Sequence, residues 1–532
     1  MLLRNPSKIR IIALLFITTV LGIASTSLLA AVIVPPLAMS AELGGAFSAL
    51  SQVNVTNQDK LPKKHQLTRQ SKALKNTEKP PPSINAIQSN QKLNSTYQQN
   101  EKQQSLLDIY HLALAHDPTL ASALSANKAA QEIIEQGKAL YRPTINLNAG
   151  VTSTKSNIIF NNVTSNFPRV AGRTSFEGYN YVLEARQPVY RQQSLVQIDK
   201  SYTQVSIADK QYHLSQQNLI LRTTQAYFNV LIAQDNIGLI RAQNTAILSQ
   251  LDQAKVTFEV GTTTITDVNE AQARFDLIVA QEIAAINSYQ VAQFEIEQIT
   301  GELPPALATV KSDIVVNTFN QSIQNLLDVA LHNNLTIAIQ QDTLKLAEQD
   351  VALNKAAHMP VLDAVANYTD NYTNGGLNGF GNELKSANIG LQLQIPLYQG
   401  GLISSKVRQA ILNQQKAKDD VEIARRQIDL DTQRAYLNLN SNIAQVKALE
   451  QALTSSQSQL ESTKLGYEVG VRINVDVLNA QQQLFSAKRD LLQARYNYLV
   501  NIIRLKSATG IVSELDLQEI NQQLLLAPNN VN

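Results

Sequence analysis

The chain has 532 residues, of which 44% are hydrophobic and 17% are charged, a composition typical of a folded protein and unlike collagen or wholesale disorder. It has no cysteine, which excludes disulfides, thiolate metal sites, thiol nucleophiles and a lipid attached to an N-terminal cysteine. The net charge is +2, but the basic excess lies in the first 103 residues and leaves about −6 on the rest, which argues against a nucleic-acid surface.

The first hundred residues divide into two segments. Three basic residues precede an uncharged run over residues 11–34 and the small-residue pattern Ala38-Met39-Ser40-Ala41, which together predict a signal peptide over residues 1–40. The run is also long enough for an uncleaved anchor, and in either case the rest is exported. Residues 41–104 are rich in Lys, Gln, Asn and Ser and lack apolar periodicity, which predicts a disordered arm; a binding role for this basic stretch stays open.

The body of the chain is duplicated. Ala226-Tyr227 recurs as Ala435-Tyr436, Val260-Gly261 recurs as Val469-Gly470, and Asp267 recurs as Asp476, all at one constant offset. Such pairs predict two copies of one fold. The predicted units are repeat 1 over residues 105–302, a linker over 303–324, repeat 2 over 325–511 and a C-terminal tail over 512–532.

Two segments of each repeat alternate apolar and polar residues, which is the period of a β-strand. The segments between them, residues 157–173 and 371–385, are rich in Asn, Gly, Ser and Thr and predict loops. The alternating apolar positions are Ile145, Leu147, Ala149 and Val151; Tyr179, Tyr181, Leu183 and Ala185; Leu362, Ala364, Ala366 and Tyr368; and Ile389, Leu391, Leu393 and Ile395.

Very long helices follow the strands. No proline lies between Pro188 and Pro304 or between Pro396 and Pro528, so uninterrupted helices are allowed there. We predict a helix over residues 192–258, about 100 Å long, a returning helix over 267–300, and a shorter helix over 121–141. In repeat 2 the apolar spacings of three, four and seven predict a coiled-coil-like seam through Leu439, Ile443, Val446, Leu449, Leu453 and Leu460.

Four strands cannot close a barrel, and an open sheet edge cannot face lipid because its backbone groups would lack partners. Three copies would supply 12 strands, a number compatible with an outer-membrane barrel. The predicted fold class is therefore α+β: a membrane β-barrel to which each chain contributes four strands, with three copies as a compatible number, continued by a long tube of α-helices. No run of about 18 apolar residues follows the signal, which excludes an inner-membrane span.

The sequence offers no chemistry of its own. The six histidines lack a spacing that would place two on one helix face, so we predict no metal and no cofactor. No nucleophile, base and orienting group occur as a set, and we therefore predict that the protein is not an enzyme. The alternative to a channel is a periplasmic coiled-coil adaptor or scaffold anchored by its N-terminal helix, which would explain the helices but not the strands.

Specific motifs resemble one family. They include Ala226-Tyr227-Phe228-Asn229, Ile265-Thr266-Asp267-Val268, Pro396-Leu397-Tyr398-Gln399-Gly400-Gly401 and Ala494-Arg495-Tyr496-Asn497-Tyr498. From about residue 105 to residue 523 the chain is similar to the TolC family of trimeric outer-membrane channels. The resemblance implies a homotrimeric exit duct for multidrug efflux or type I protein secretion, set in outer-membrane lipid and continued by a periplasmic α-helical barrel. It also implies recruitment by a periplasmic adaptor and an inner-membrane pump of the ABC or RND type.

The resemblance also implies a closed periplasmic entrance at the helix tips. Asp267, Tyr467 and Arg472 match the residues of a latch, in which an Arg fork and a carboxylate make a contact that breaks without unfolding. From the residues alone, Asp267 could instead stabilise a helix N-terminus, and Tyr467 could fill a helix seam.

Asp476 matches the first of two aspartates that form an acidic ring in this family, and Asn479 replaces the second. One ring would contribute three carboxylates where the family pattern gives six, which leaves the block of the entrance by multivalent cations in doubt. Glu270 is a possible substitute for the missing charge; a capping box with Asp267 is its alternative role.

Overall fold

A computed structural model describes residues 103–159, 172–310, 316, 319–376 and 380–525. Every described residue belongs to one compact unit, Asn90–Asn532. The predicted signal peptide lies outside the described residues. So do the predicted arm, apart from its last two residues, and the final seven residues of the predicted tail.

Each repeat contains, in order, two short helices, two strands, a long helix and a returning helix, which confirms the predicted duplication. Repeat 1 comprises α1 (Leu106–His116), α2 (Pro118–Ala139), β1 (Thr144–Ile158), β2 (Gly172–Arg191), α3 (Gln192–Glu259) and α4 (Ile265–Thr300). After β3 (Thr309–Val310), repeat 2 comprises α5 (Ile323–Asn333), α6 (Leu335–Ala356), β4 (Val361–Thr373), β5 (Asn382–Gln394), α7 (Leu402–Glu468) and α8 (Asn474–Ala508). The chain continues into α9 (Glu514–Asn521) and β6 (Leu524–Leu525).

The four long strands form one antiparallel sheet in the order β1-β2-β4-β5. Leu147 lies opposite Leu183, and Leu183 lies opposite Tyr368, so these side chains share one face. That face is exposed and apolar, with Ile145, Leu147, Val151, Tyr181, Leu183, Tyr368, Ile389, Leu391 and Leu393. The opposite face is mainly polar and carries Asn146, Asn148, Asn180, Glu184, Asn367, Thr369, Asn388 and Gln392.

The strands extend further than the sequence predicted. The ladder between β1 and β2 continues to Ile158 and Gly172, and the ladder between β4 and β5 continues to Thr373 and Asn382, inside the two predicted loops. Backbone pairing does not require apolar side chains, so the polar composition of these segments was a poor guide to the loop limits.

The long helix α3 spans 68 residues, about 100 Å, and ends one residue beyond the prediction. Helices α3 and α4 form the first hairpin, and α7 and α8 form the second. Toward the sheet the helices pack side by side in the order α2-α3-α6-α7, and toward the hairpin turns in the order α4-α3-α8-α7. Within the described ranges, none of the helices combines the length and the apolar character needed to span a bilayer.

The largest core lies midway along the hairpins. Tyr227 and Phe228 of α3 and Leu499 of α8 are fully buried there. The Tyr227 hydroxyl donates to the Ala308 carbonyl (2.7 Å), beside the small sheet of β3 and β6. This core holds the two hairpins together. Because α3 and α7 each begin next to the sheet, their far ends place the hairpin turns away from it.

Candidate functional site at the hairpin turns

The turns at the ends of the two hairpins have the same conformation. Gly261 and Gly470 have φ near +79°, a left-handed conformation that favours glycine. The Gly261 amide donates to the Phe258 carbonyl (2.9 Å), and the Gly470 amide donates to the Tyr467 carbonyl (3.1 Å). Equivalent positions of the two repeats therefore meet the same local geometry.

In the first turn the carboxylate of Asp267 caps its own helix. It accepts hydrogen bonds from the Thr263 hydroxyl, the Thr264 hydroxyl (2.9 Å) and the Thr264 amide (3.2 Å). These bonds, that of Thr263 first, hold the pKa of Asp267 below its usual range. A carboxyl with a lowered pKa adds stability above its unfolded pKa and loses it as the pH falls through the folded pKa. Asp267 is thus an anion at neutral pH.

In the second turn an arginine occupies the position of Thr263. The Arg472 guanidinium lies 3.7 Å from the Asp476 carboxylate and is 59% exposed. The amide of Ile473 also donates to Asp476, at 3.5 Å. The carboxylate therefore has a weaker set of local donors than Asp267, and the Arg472 fork is free to make a further contact.

The Arg472 side chain lies close against Gly466. A Cβ atom at Gly466 would meet Arg472 Cγ at 2.8 Å, which is closer than contact allows. The stem of Arg472 therefore lies across the last turn of α7, in the space that a side chain would fill. A glycine at this position leaves room for that stem.

The structure divides the predicted latch between the two hairpins. Tyr467 packs against the cluster of Leu460, Val477, Ala480 and Leu484 within the second hairpin. Asp267 lies in the first hairpin and is bonded to its own turn, so within one chain it is not brought against Arg472. The latch remains a prediction, and its arginine and aspartate would have to meet between copies.

Glu270 does not take part in the capping box, which is formed by Thr264 and Asp267. Its carboxylate instead pairs with Arg274 one helical turn later (3.3 Å). Asn479 is also turned toward Arg274 and accepts from its guanidinium at 2.8 Å. The charge of Glu270 is therefore offset within the protomer.

Sequence reasoning missed Arg274. The spacing of four between Glu270 and Arg274 predicts an ion pair on one helix face and was readable from the sequence. The bonds from Arg274 to the second hairpin were not readable, because they join residues more than 200 positions apart. Among the described residues, no cluster of three or more His, Asp or Glu side chains is placed to hold a metal ion.

A duplicated chain with a four-stranded sheet, two long hairpins and charged turns is the architecture of an outer-membrane channel subunit. The chain belongs to the family described as Outer membrane efflux protein, whose model matches residues 109–302 and 326–511. It is 35% identical to Outer membrane protein TolC of Vibrio cholerae, over 80% of this chain and 94% of that protein. It is 30% identical to Alkaline protease secretion protein AprF of Pseudomonas aeruginosa, over 78% of this chain and 86% of that protein.

The fold is similar to that of solved structures. The outer membrane protein VceC from Vibrio cholerae matches with a TM-score of 0.62 and 18% identity, over 76% of this chain and 96% of that one. The predicted resemblance, the mixed fold of helices and a four-stranded sheet, and the outer-membrane location are confirmed by these findings. The protein is an outer-membrane channel subunit, and the adaptor alternative is not favoured.

We predict that Gly466→Ala disturbs the entrance by displacing Arg472. In single-channel recordings the open fraction should rise by up to about fivefold, the effect of losing one exposed ion-pair contact. Gly238→Ala is the matched control, because Gly238 lies inside α3 and a Cβ there meets no atom within 4 Å. That variant should leave the open fraction unchanged. Equal behaviour of the two variants would contradict the role assigned to Gly466.

Proposed function

We propose that three copies of this chain form an exit duct that crosses the outer membrane and extends into the periplasm. The observation that carries the proposal is the position of the unpaired edges. The sheet ends at β1 and β5, the helices near the sheet end at α2 and α7, and those near the turns end at α4 and α7. In the sheet and in both parts of the helical region, one edge thus belongs to repeat 1 and the other edge to repeat 2. The repeat 1 edge of one copy can therefore join the repeat 2 edge of the next, which allows a closed ring.

The two faces of the sheet support the same assembly. Rolled into a closed barrel, the exposed apolar face would contact lipid, and the polar face would line a water-filled lumen. Tyr179 stacks on Tyr372 (ring centroids 5.1 Å apart), and these rings are suited to the membrane interface. The apolar edge of α4, with Leu277, Ile283, Val291 and Phe294 exposed, would be covered by α7 of the next copy.

The proposed gate lies at the turns. Arg472 of one copy would reach the Asp267 carboxylate of a neighbour, with Tyr467 packed beneath, and three Asp476 side chains would form an acidic ring. The exposed, weakly paired Arg472 and the anionic Asp267 support this arrangement. A periplasmic adaptor and an inner-membrane pump of the ABC or RND type would open it. The named role of AprF in protease secretion supports protein cargo for at least one relative.

The proposal is tested by single-channel conductance in a planar bilayer, with wild type compared with Arg472→Ala. We expect brief, small openings in the wild type and an open fraction at least about tenfold higher in the variant, because a charge-assisted contact is lost. Arg489→Ala is the control, since Arg489 pairs with the adjacent Asp490 on the surface of α8. A folded protein with no conductance in any variant would overturn the duct; equal conductance in all three would overturn the latch.

A further inference from the structure

Arg274 connects the two hairpins within one chain. From α4 in the first hairpin, its guanidinium donates to Gln482 Oε1 (2.9 Å) and to Asn479 Oδ1 (2.8 Å), both on α8 of the second hairpin. The same guanidinium pairs with Glu270 on its own helix (3.3 Å). A planar fork that makes three such bonds in fixed directions holds its partners in register, which a lysine ammonium could not do equally well.

The contact lies over an apolar cluster shared by the two hairpins. Leu251 and Ala254 of α3, Ala271 of α4 and Leu478 of α8 are buried together there, with Val268 and Phe275 packed against them. A buried hydrogen bond from Gln250 of α3 to Asn474 of α8 lies nearby. The start of α8, next to the hairpin turn, is therefore attached to the first hairpin by this small apolar cluster and by the polar bonds from Gln250 and Arg274.

The local charges favour Asn479 as a partner of Arg274 over Asn479 as a position in an acidic ring. The Arg274 side chain is 24% exposed, so its guanidinium has left most of its water and depends on protein partners. Its terminal nitrogens make the bonds to Glu270, Asn479 and Gln482, while its Nε atom is buried without a hydrogen-bond partner among the described residues. Glu270 supplies the counter-charge, while Asn479 and Gln482 supply neutral acceptors. A neutral residue at 479 therefore fits the clamp with no surplus charge.

We propose that Arg274 clamps the end of the second hairpin to the first, and that the duct entrance opens only when the bonds from Arg274 to Asn479 and Gln482 are broken. The inference rests on the proposed function for its link to opening, but not for the clamp itself. The clamp is independent of the proposed latch, because Arg472 pairs with Asp476 and shares no bonded partner with Arg274.

Thiol labelling tests the clamp without reference to conductance, because the natural chain has no cysteine. Two reporters occupy neighbouring positions of α8: Leu478→Cys, buried between the hairpins, and Val477→Cys, buried within the second hairpin. We expect Arg274→Gln to raise the maleimide labelling rate at position 478 by about tenfold and to change the rate at 477 by less than about twofold. Arg274→Lys should give an intermediate rate at position 478.

Arg241→Gln is the matched control for the loss of an arginine. Arg241 of α3 pairs with Glu282 of α4 at 2.9 Å, wholly within the first hairpin. This variant should leave labelling at position 478 unchanged. Faster labelling at both 477 and 478, or faster labelling in the Arg241→Gln chain to the same extent, would mean general loosening and would overturn the clamp.

Bilayer recordings then test the link to opening. We expect Arg274→Gln to raise the open fraction, with a further increase when it is combined with Arg472→Ala. If Arg472→Ala opens the channel and Arg274→Gln does not, the gating role of Arg274 is wrong while the duct stands. If labelling responds as expected and no variant conducts, the clamp stands and the proposed function fails.

Discussion

Asp117→Ala is expected to lower the free energy of unfolding by about 3 kcal/mol, since it removes a helix cap and leaves Arg222 without its carboxylate partner. The Asp117 side chain is 1% exposed and lies between α1 and α2. It accepts from the Leu120 amide (2.9 Å) and from Arg222 of the long helix α3 (2.7 Å). One carboxylate therefore starts α2 and attaches it to the first hairpin.

Two variants separate these contributions. Asp117→Asn keeps an oxygen for the cap but removes the charge that faces Arg222, so we expect about half of the loss. Asn334→Ala is the counterpart in repeat 2, where the Asn334 side chain accepts from the Thr336 amide (2.9 Å) and donates to the Ala508 carbonyl (3.0 Å). With no ion pair broken, its loss should be nearer 1 kcal/mol.

The measurement is the urea midpoint in detergent, followed by far-ultraviolet circular dichroism. The order of stability should be wild type, Asn334→Ala, Asp117→Asn and then Asp117→Ala. If Asp117→Ala lowered the free energy of unfolding no more than Asn334→Ala, the ion pair with Arg222 would contribute nothing to the stability of the protein.

Local patterns explain why so much of the fold was predictable. Alternation with period two and apolar spacings of three and four each depend on residues close in sequence, so the strands and the seam through Leu439 and Val446 were found where predicted. The turn glycines Gly261 and Gly470 were visible because duplication placed them in matching motifs. Because the chain is duplicated, each predicted element in one repeat was supported by the matching element in the other.

The missed features depend on contacts between distant parts of the chain. Strand β2 runs through Pro188 to Arg191 with a bulge before Tyr190, because pairing with β4 continues past a residue that has no amide hydrogen to donate. The link made by Arg274 was missed for the same reason: two of its three partners, Asn479 and Gln482, belong to the other repeat. Motif matching gave Glu270 a role by position alone, whereas the structure gives it a partner.

Asp476→Asn is expected to weaken block of the channel by hexaamminecobalt(III) at least about 100-fold, since it would remove three carboxylates from the proposed ring around a trivalent cation. The Asp476 side chain is 35% exposed and its counter-charge, Arg472, lies 3.7 Å away. The measurement is the concentration that halves the current, taken at fixed ionic strength because screening reduces such interactions.

Asn479→Asp provides the contrast. A carboxylate added at a position that faced the lumen would strengthen block strongly, but the Asn479 side chain is bonded to Arg274. We therefore expect Asn479→Asp alone to strengthen block by no more than about threefold, and by clearly more once Arg274→Gln has removed the bonded partner. Equal effects in both backgrounds would mean that position 479 faces the lumen regardless of Arg274. The entrance would then differ from the two-ring pattern only by a missing charge, and not by a clamp that takes its place.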